Sequence, residues 1–188
     1  MKKIISLALA VILLFSFAAC DKNLKIKKDE TNQNETSFEV KDFAINIDEE
    51  ENVVEIGIYT GDDKKVRVPD TVDGMAVVGI LSNCFAATPV EKVTMGKYVY
   101  YIESYAFQWT QIEELEVPEG ATYLGNHVFY ECEKLKKVTL PDSLEKIGDN
   151  IFEGCVNEVE VIVTENSFAH NYCKDLVEQG ANIKITVE

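Results

Sequence analysis

Phe85, Phe107, Phe129 and Phe152 stand 22, 22 and 23 residues apart, and a set of neighbours travels with each ring. Five residues before each come Ile80, Ile102, Leu124 and Ile147. Eight before come Val77, Val99, Ala121 and Leu144, and one before come Cys84, Ala106, Val128 and Ile151. After each ring follows a short run of period-2 alternation: Lys92–Met95, Glu114–Val117, Lys137–Leu140 and Glu158–Val163, with an earlier run at Lys65–Val68. Such alternation predicts short strands with one buried face. A unit this short cannot bury its own apolar side, so successive units must stack. The periodicity predicts an α/β repeat, a solenoid of about four coils with parallel strands over residues 66–163.

Pro69, Pro118 and Pro141 close three of the strands and Gly96 closes another. Pro69 lies eleven residues before Ile80, whereas Pro118 and Pro141 lie six before Leu124 and Ile147. The first coil therefore carries five extra residues around Val72–Ala76, expected as a loop that turns at Gly74. In the fourth coil Leu144, Ile147, Ile151 and Phe152 should fill one core layer, with Gly148 letting the chain turn. Residues 38–65 read as an N-terminal β cap, a strand pair about the acidic turn Asp48–Asn52. Residues 164–188 read as a helix–strand cap that protects an open sheet edge. Its helix would start at Asn166 or Ser167, carry an apolar stripe of Phe168, Tyr172, Leu176 and Val177 beside Cys173, and stop at Gly180.

Two stretches carry the repeat most fully, "YLGNHVFYECEKLKKVTLP" and "VTLPDSLEKIGDNIFEGC". Their order of strand, Pro, apolar residue, Ile-Gly, Phe, Gly-Cys and Leu resembles the BspA-type leucine-rich repeats of bacterial surface proteins. The leading "IGIYTGDDKKVRVPDTVDGMAVVGI" and the closing "SFAHNYCKDLVEQGANIKI" extend the resemblance over about residues 53–188. Leu81 and Glu103 depart from the usual Gly, and Val159 stands one place late for the repeat Leu. The resemblance implies a short leucine-rich-repeat solenoid that serves as an extracellular interaction module or adhesin. It implies no catalytic site and no cofactor.

The chain opens differently. Lys2 and Lys3 precede an apolar run to Phe17, and Ala18 and Ala19 precede Cys20. That is the pattern of a secretory signal over residues 1–19, too short for a spanning helix. Its "FAAC" end resembles the lipobox of bacterial lipoproteins, with Phe17 in place of the usual aliphatic residue, and implies lipidation of Cys20. Residues 20–37 then read as the lipidated Cys and a polar, disordered tether. The expectation is an exported protein, held at a cell membrane or outer surface by its lipid alone. The net charge of −15, which loses two lysines and no acid with the leader, argues against nucleic-acid partners and a broad membrane-binding face.

Little in the sequence points to chemistry. His127 and His170 are the two histidines. His127 falls in a turn-side polar column with Asn83, Tyr105 and Asn150. His170 and Cys173 stand one helical turn apart, but no second ligand pair completes a metal site. The run Asp48–Glu51 lacks the spaced oxygens and Gly of a calcium loop. Cys132 and Cys155 share a column of adjacent coils; stacking distance permits a disulfide, while the column's place in the repeat favours packed thiols. The sequence leaves their pairing open.

Candidate binding residues come from the aromatic positions. On the strands the expected outward pairs are Lys65/Arg67, Lys92/Thr94, Glu114/Glu116, Lys137/Thr139 and Glu158/Glu160, a mixed-sign ladder and not a one-sign groove. The second and third coils depart from this blandness. Tyr98, Tyr100, Tyr101 and Tyr123 should gather on one side, and Tyr105, Trp109 and Tyr130 around the loop after each Phe. Clustered exposed Tyr and Trp favour a protein or glycan partner, here an extracellular or host molecule. The alternatives are a structural envelope spacer without a specific ligand and a glycan-binding surface protein.

Overall fold

The computed structural model describes residues 42–188. The expected leader, Cys20, the tether and the first residues of the N-terminal cap lie outside the described residues.

The chain winds into a parallel β-solenoid whose coils have three faces. One face is a six-stranded, all-parallel sheet in the order β13 (Ile183–Val187), β12 (Val159–Val163), β10 (Lys137–Leu140), β8 (Glu114–Glu116), β6 (Lys92–Thr94) and β3 (Lys65–Arg67). The second face is a sheet of β1 (Phe43–Asp48), β2 (Val53–Tyr59), β5 (Met75–Ile80), β7 (Tyr101–Ile102), β9 (Tyr123–Leu124) and β11 (Lys146–Ile147), with β4 (Thr71–Val72) hanging from β5. The third face consists of turns at residues 82–87, 104–109, 126–131 and 149–154.

The repeat columns form the core. Val77, Val99, Ala121 and Leu144 are buried, as are Ile80, Ile102, Leu124 and Ile147. The four anchor rings stack parallel, with centroids 5.2, 5.8 and 5.6 Å apart from Phe85 to Phe152. Four coils carry an anchor Phe, yet the first sheet has six rungs, because β3 and the capping β13 continue it at either end.

The structure alters several local expectations. The five extra residues of the first coil are not a loop: β4 and β5 form a tight antiparallel hairpin. Asp73 and Gly74 lie at its turn with φ of 50° and 85°, the paired positive angles of a two-residue hairpin turn. Gly148 does not turn the chain through a positive φ. A side chain there would come within 2.6 Å of the backbone N of Asn126, so it is a close-approach glycine, as is Gly125, where a Cβ would lie 2.3 Å from the N of Ser104. In the last ladder Glu160 and Ile162, not Glu158 and Glu160, align with Lys137 and Thr139.

At the C-terminal end, α1 (Phe168–Glu178) starts at Ser167, whose hydroxyl accepts from the N–H of His170 at 3.0 Å. It ends in a Schellman pair, Gly180 N–H to Val177 O and Ala181 N–H to Leu176 O, with Gly180 at φ 89°. Its buried face is Ala169, Cys173 and partly Tyr172 and Leu176; Phe168 and Val177 stay about half exposed. The stripe shifts because positions 169, 172, 173 and 176 share one helical face. The helix covers the edge of the second sheet, where the Tyr172 hydroxyl donates to Gly148 O at 2.8 Å. β13 does not protect the first sheet's edge but extends it by one rung.

Candidate functional site

Along the turn face, alternate N–H groups of each coil donate to the next. Tyr105, Phe107 and Trp109 donate to Asn126, Val128 and Tyr130, and His127, Phe129 and Glu131 to Asp149, Ile151 and Glu153. This ladder requires left-handed backbone two residues before and two residues after each Phe. The positions before are Asn83, Tyr105, His127 and Asn150, with φ of 54–61°. Those after are Ala87, Trp109, Glu131 and Gly154, with φ of 50–77°. Left-handed residues splay their side chains away from the core, and only Gly and Asn adopt the conformation with ease.

The second and third coils place aromatic rings there. Tyr105 stacks on His127 with centroids 4.9 Å apart and planes within 5°. Tyr130 stands edge-on to Tyr105, His127 and Trp109 at 6.2, 5.7 and 6.3 Å. Two carboxylates frame the group. The Trp109 indole donates to Glu131 at 2.9 Å, and His127 Nε2 meets Glu153 at 3.0 Å. Trp109 is 50% exposed, so the group is an accessible aromatic surface and not a core. The structure brings together Tyr105, Trp109 and Tyr130 and adds His127, Glu131 and Glu153, which sequence reasoning left out. The signal for His127 was present: an aromatic imidazole in a column held by Asn in the first and fourth coils.

The other four tyrosines divide. Tyr98 and Tyr100 are 46% and 48% exposed. Tyr100 meets Tyr101 edge-on at 4.9 Å, and Lys97 lies over the Tyr98 ring at 4.7 Å. Tyr123 pairs in register with Tyr101 and carries Lys146 over its ring at 5.2 Å. Tyr101 has a different role. Its ring lies across Gly79 of the preceding coil, where a Cβ would collide with it, and its hydroxyl donates to Glu55 one strand farther on. Burial, followed by the hydrogen bond to Glu55, pushes its pKa above the ordinary tyrosine value. Tyr101 locks three strands together.

The outer face of the six-stranded sheet holds a shallow concavity of about 620 Å³ across β6, β8 and β10. Its lining alternates in sign, with Lys92, Glu114 and Lys137 in one row, as adjacent parallel strands favour. Cys84, Cys132, Cys155 and Cys173 are all thiols. Burial pushes Cys132 up to about 11 and Cys155 and Cys173 up to about 12, which makes them poor nucleophiles at neutral pH. His170 is held by the helix cap, its Nδ1 accepting from Asn166 N–H at 2.9 Å. Among the described residues no three His, Cys, Asp or Glu side chains gather as metal ligands, and no helix is long and apolar enough to cross a membrane.

Comparison with known proteins places the architecture. No curated protein matches the chain. A leucine-rich repeat protein of T. pallidum superposes with a TM-score of 0.54 at 19% identity, covering 68% of this chain and 71% of that one. A leucine-rich repeat protein from Bacteroides capillosus gives 0.50 at 20% identity, over 67% of this chain and 96% of the other. At these identities the likeness is one of fold. The BspA type Leucine rich repeat region matches residues 78–179 in six copies. The chain belongs to the BspA-type leucine-rich repeat family.

Proposed function

We propose that this protein is an exported, lipid-anchored interaction module that contacts a protein partner through the turn face of its second and third coils. The fold is a repeat scaffold, and solenoids of this kind present extended surfaces for protein contact. One observation carries the choice of face. Tyr105 and Trp109 occupy left-handed positions, at φ 61° and 57°, where packing does not require a ring. A bulky side chain in that conformation costs about 1–2 kcal/mol. An exposed Trp109 and a half-buried Tyr105 at conformationally unfavourable positions indicate recognition better than core filling does. The leader and Cys20 support export and lipid attachment; metabolic labelling with a clickable fatty acid, lost in Cys20→Ser, tests that part.

The face itself is tested by screening the soluble chain on arrays of extracellular proteins and glycans. Trp109→Ala with Tyr105→Asn should abolish capture of the best ligand and leave the circular dichroism spectrum unchanged. Tyr101→Phe should lower thermal stability without affecting capture. Undiminished capture by the folded double variant would remove this face from consideration. Capture by glycans alone would replace the protein partner with a sugar.

A further inference from the structure

The ladder of the turn face runs in one direction and ends without a receiver. The N–H groups of Asn83, Phe85 and Ala87 reach the second coil, and each later coil repeats the pattern as far as the fourth. The repeat gives Asn150, Phe152 and Gly154 three N–H groups of the same heading. None of them has a hydrogen-bond partner among the described residues. The anchor stack also ends there: Phe152 is 8% exposed, where Phe85, Phe107 and Phe129 are 0%. Between this last turn and the end of α1 lies an opening of about 310 Å³, lined by Phe152, Cys155, Leu176 and Ala181 among others. The one charged side chain in its lining is Glu153.

We infer that this notch binds an extended peptide segment of a partner protein. Backbone carbonyls of the segment accept from the N–H groups of Asn150, Phe152 and Gly154, and an aromatic side chain enters the opening beside the exposed rim of Phe152. The occupant follows from continuity with the coil-to-coil ladder, which supplies N–H donors at alternate residues beside an apolar opening lined by Phe152, Leu176 and Ala181. Glu153 favours basic residues beside that aromatic. A second copy stacked head to tail does not supply the missing coil, because at the opposite end Cys84 O already accepts from Tyr59 N–H at 2.7 Å. The inference rests on the last turn and not on the aromatic rings of the second and third coils, although Glu153 borders both sites.

The test uses the isotope-labelled soluble chain. In the free protein the amide protons of residues 150, 152 and 154 should exchange at least about tenfold faster than those of 127, 129 and 131. Acetyl-Lys-Gly-Phe-Gly-Lys-amide, titrated to millimolar concentration, should shift resonances of the last turn and of residues 179–182 in a saturable way. The same peptide with Ala for Phe should bind at least about tenfold more weakly. Ala181→Phe, which fills the notch from within, should abolish the shifts and keep a dispersed spectrum. If that variant misfolds, the wild-type exchange rates and the Phe/Ala pair still decide. Slow exchange at 150, 152 and 154, equal binding of the two peptides, shifts confined to Tyr105, Trp109 and Tyr130, or no shifts at all would each overturn the inference.

Discussion

The turns of the middle coils and those of the outer coils share one backbone and differ in what they display. The first and fourth coils fill the left-handed positions with Asn83, Ala87, Asn150 and Gly154; the second and third use Tyr105, Trp109, His127 and Glu131. The Phe column runs through all four, and one hydrogen-bond ladder joins them from the first coil to the fourth, which receives and does not pass it on. The difference shows that the repeat fixes the main chain and the core but leaves these positions free for another use. Apart from Ala87, the outer coils took residues that suit the backbone, and the middle coils took residues that make a surface.

The largest test of this division lies beneath the surface, in the shared stack. Phe129 is fully buried and stacked on both faces, while Phe152 is stacked on one face and borders the notch. Phe129→Ala should destabilise by about 3–5 kcal/mol, and Phe152→Ala should fall at or below the lower end of that range. Urea unfolding measures both. Equal losses would mean that the last ring is as fully supported as the middle ones.

Next in size are exchanges at the left-handed positions. Gly154→Ala places a Cβ at φ 77° and 2.5 Å from Glu131 Cγ, and should destabilise by about 1–2 kcal/mol. Ala87→Gly, at φ 56° and exposed, should stabilise by up to about 1 kcal/mol. If Ala87→Gly instead weakened the protein, the strain ascribed to Tyr105 and Trp109 would lose its basis.

Most of the fold was legible because stacking forces a strict period on the sequence. Each core column, from Val77 to Phe152, follows from spacing alone. The terminal elements were less legible, because a cap occurs once and has no second copy to confirm its register. The slipped stripe of α1 lies there, and the two-residue shift at Glu160 falls in the strand next to it. The aromatic positions could be marked from their departures from the repeat, but their contacts could not. Tyr101 reads like Tyr100 in sequence, and only the missing side chain of Gly79, two coils' strands brought together, shows why it turns inward to Glu55. The unused N–H groups of the last turn were invisible for a similar reason: a ladder shows its end only once its direction is known.

The smallest effect at neutral pH separates the coils in a different column. Three residues after each Phe stand Thr88, Thr110, Cys132 and Cys155. The hydroxyls of Thr88 and Thr110 donate to Phe85 O and Phe107 O at 2.7 and 2.8 Å, and the thiols of Cys132 and Cys155 donate to Phe107 O and Phe129 O at 3.0 and 3.3 Å. The hydroxyls thus bond within their own coil and the thiols reach back to the preceding one, and only the thiols titrate. Burial raises Cys132 to about 11 and Cys155 to about 12, whereas an unfolded thiol ionises near 8.5. A raised folded pKa means that the folded chain holds its proton more tightly. The stability is complete below about pH 8.5 and is lost as pH rises toward the folded values. Cys155→Thr should change stability by less than about 1 kcal/mol at pH 7, since the hydroxyl can donate to Phe152 O as Thr88 and Thr110 do to their own coils' Phe, in place of the thiol's bond to Phe129 O. Between about pH 9 and 11 it should lose less stability than the parent chain, because one buried thiolate no longer has to form. Parallel alkaline decline in the two proteins would show that the Cys155 thiol ionises as easily folded as unfolded and adds nothing to this decline.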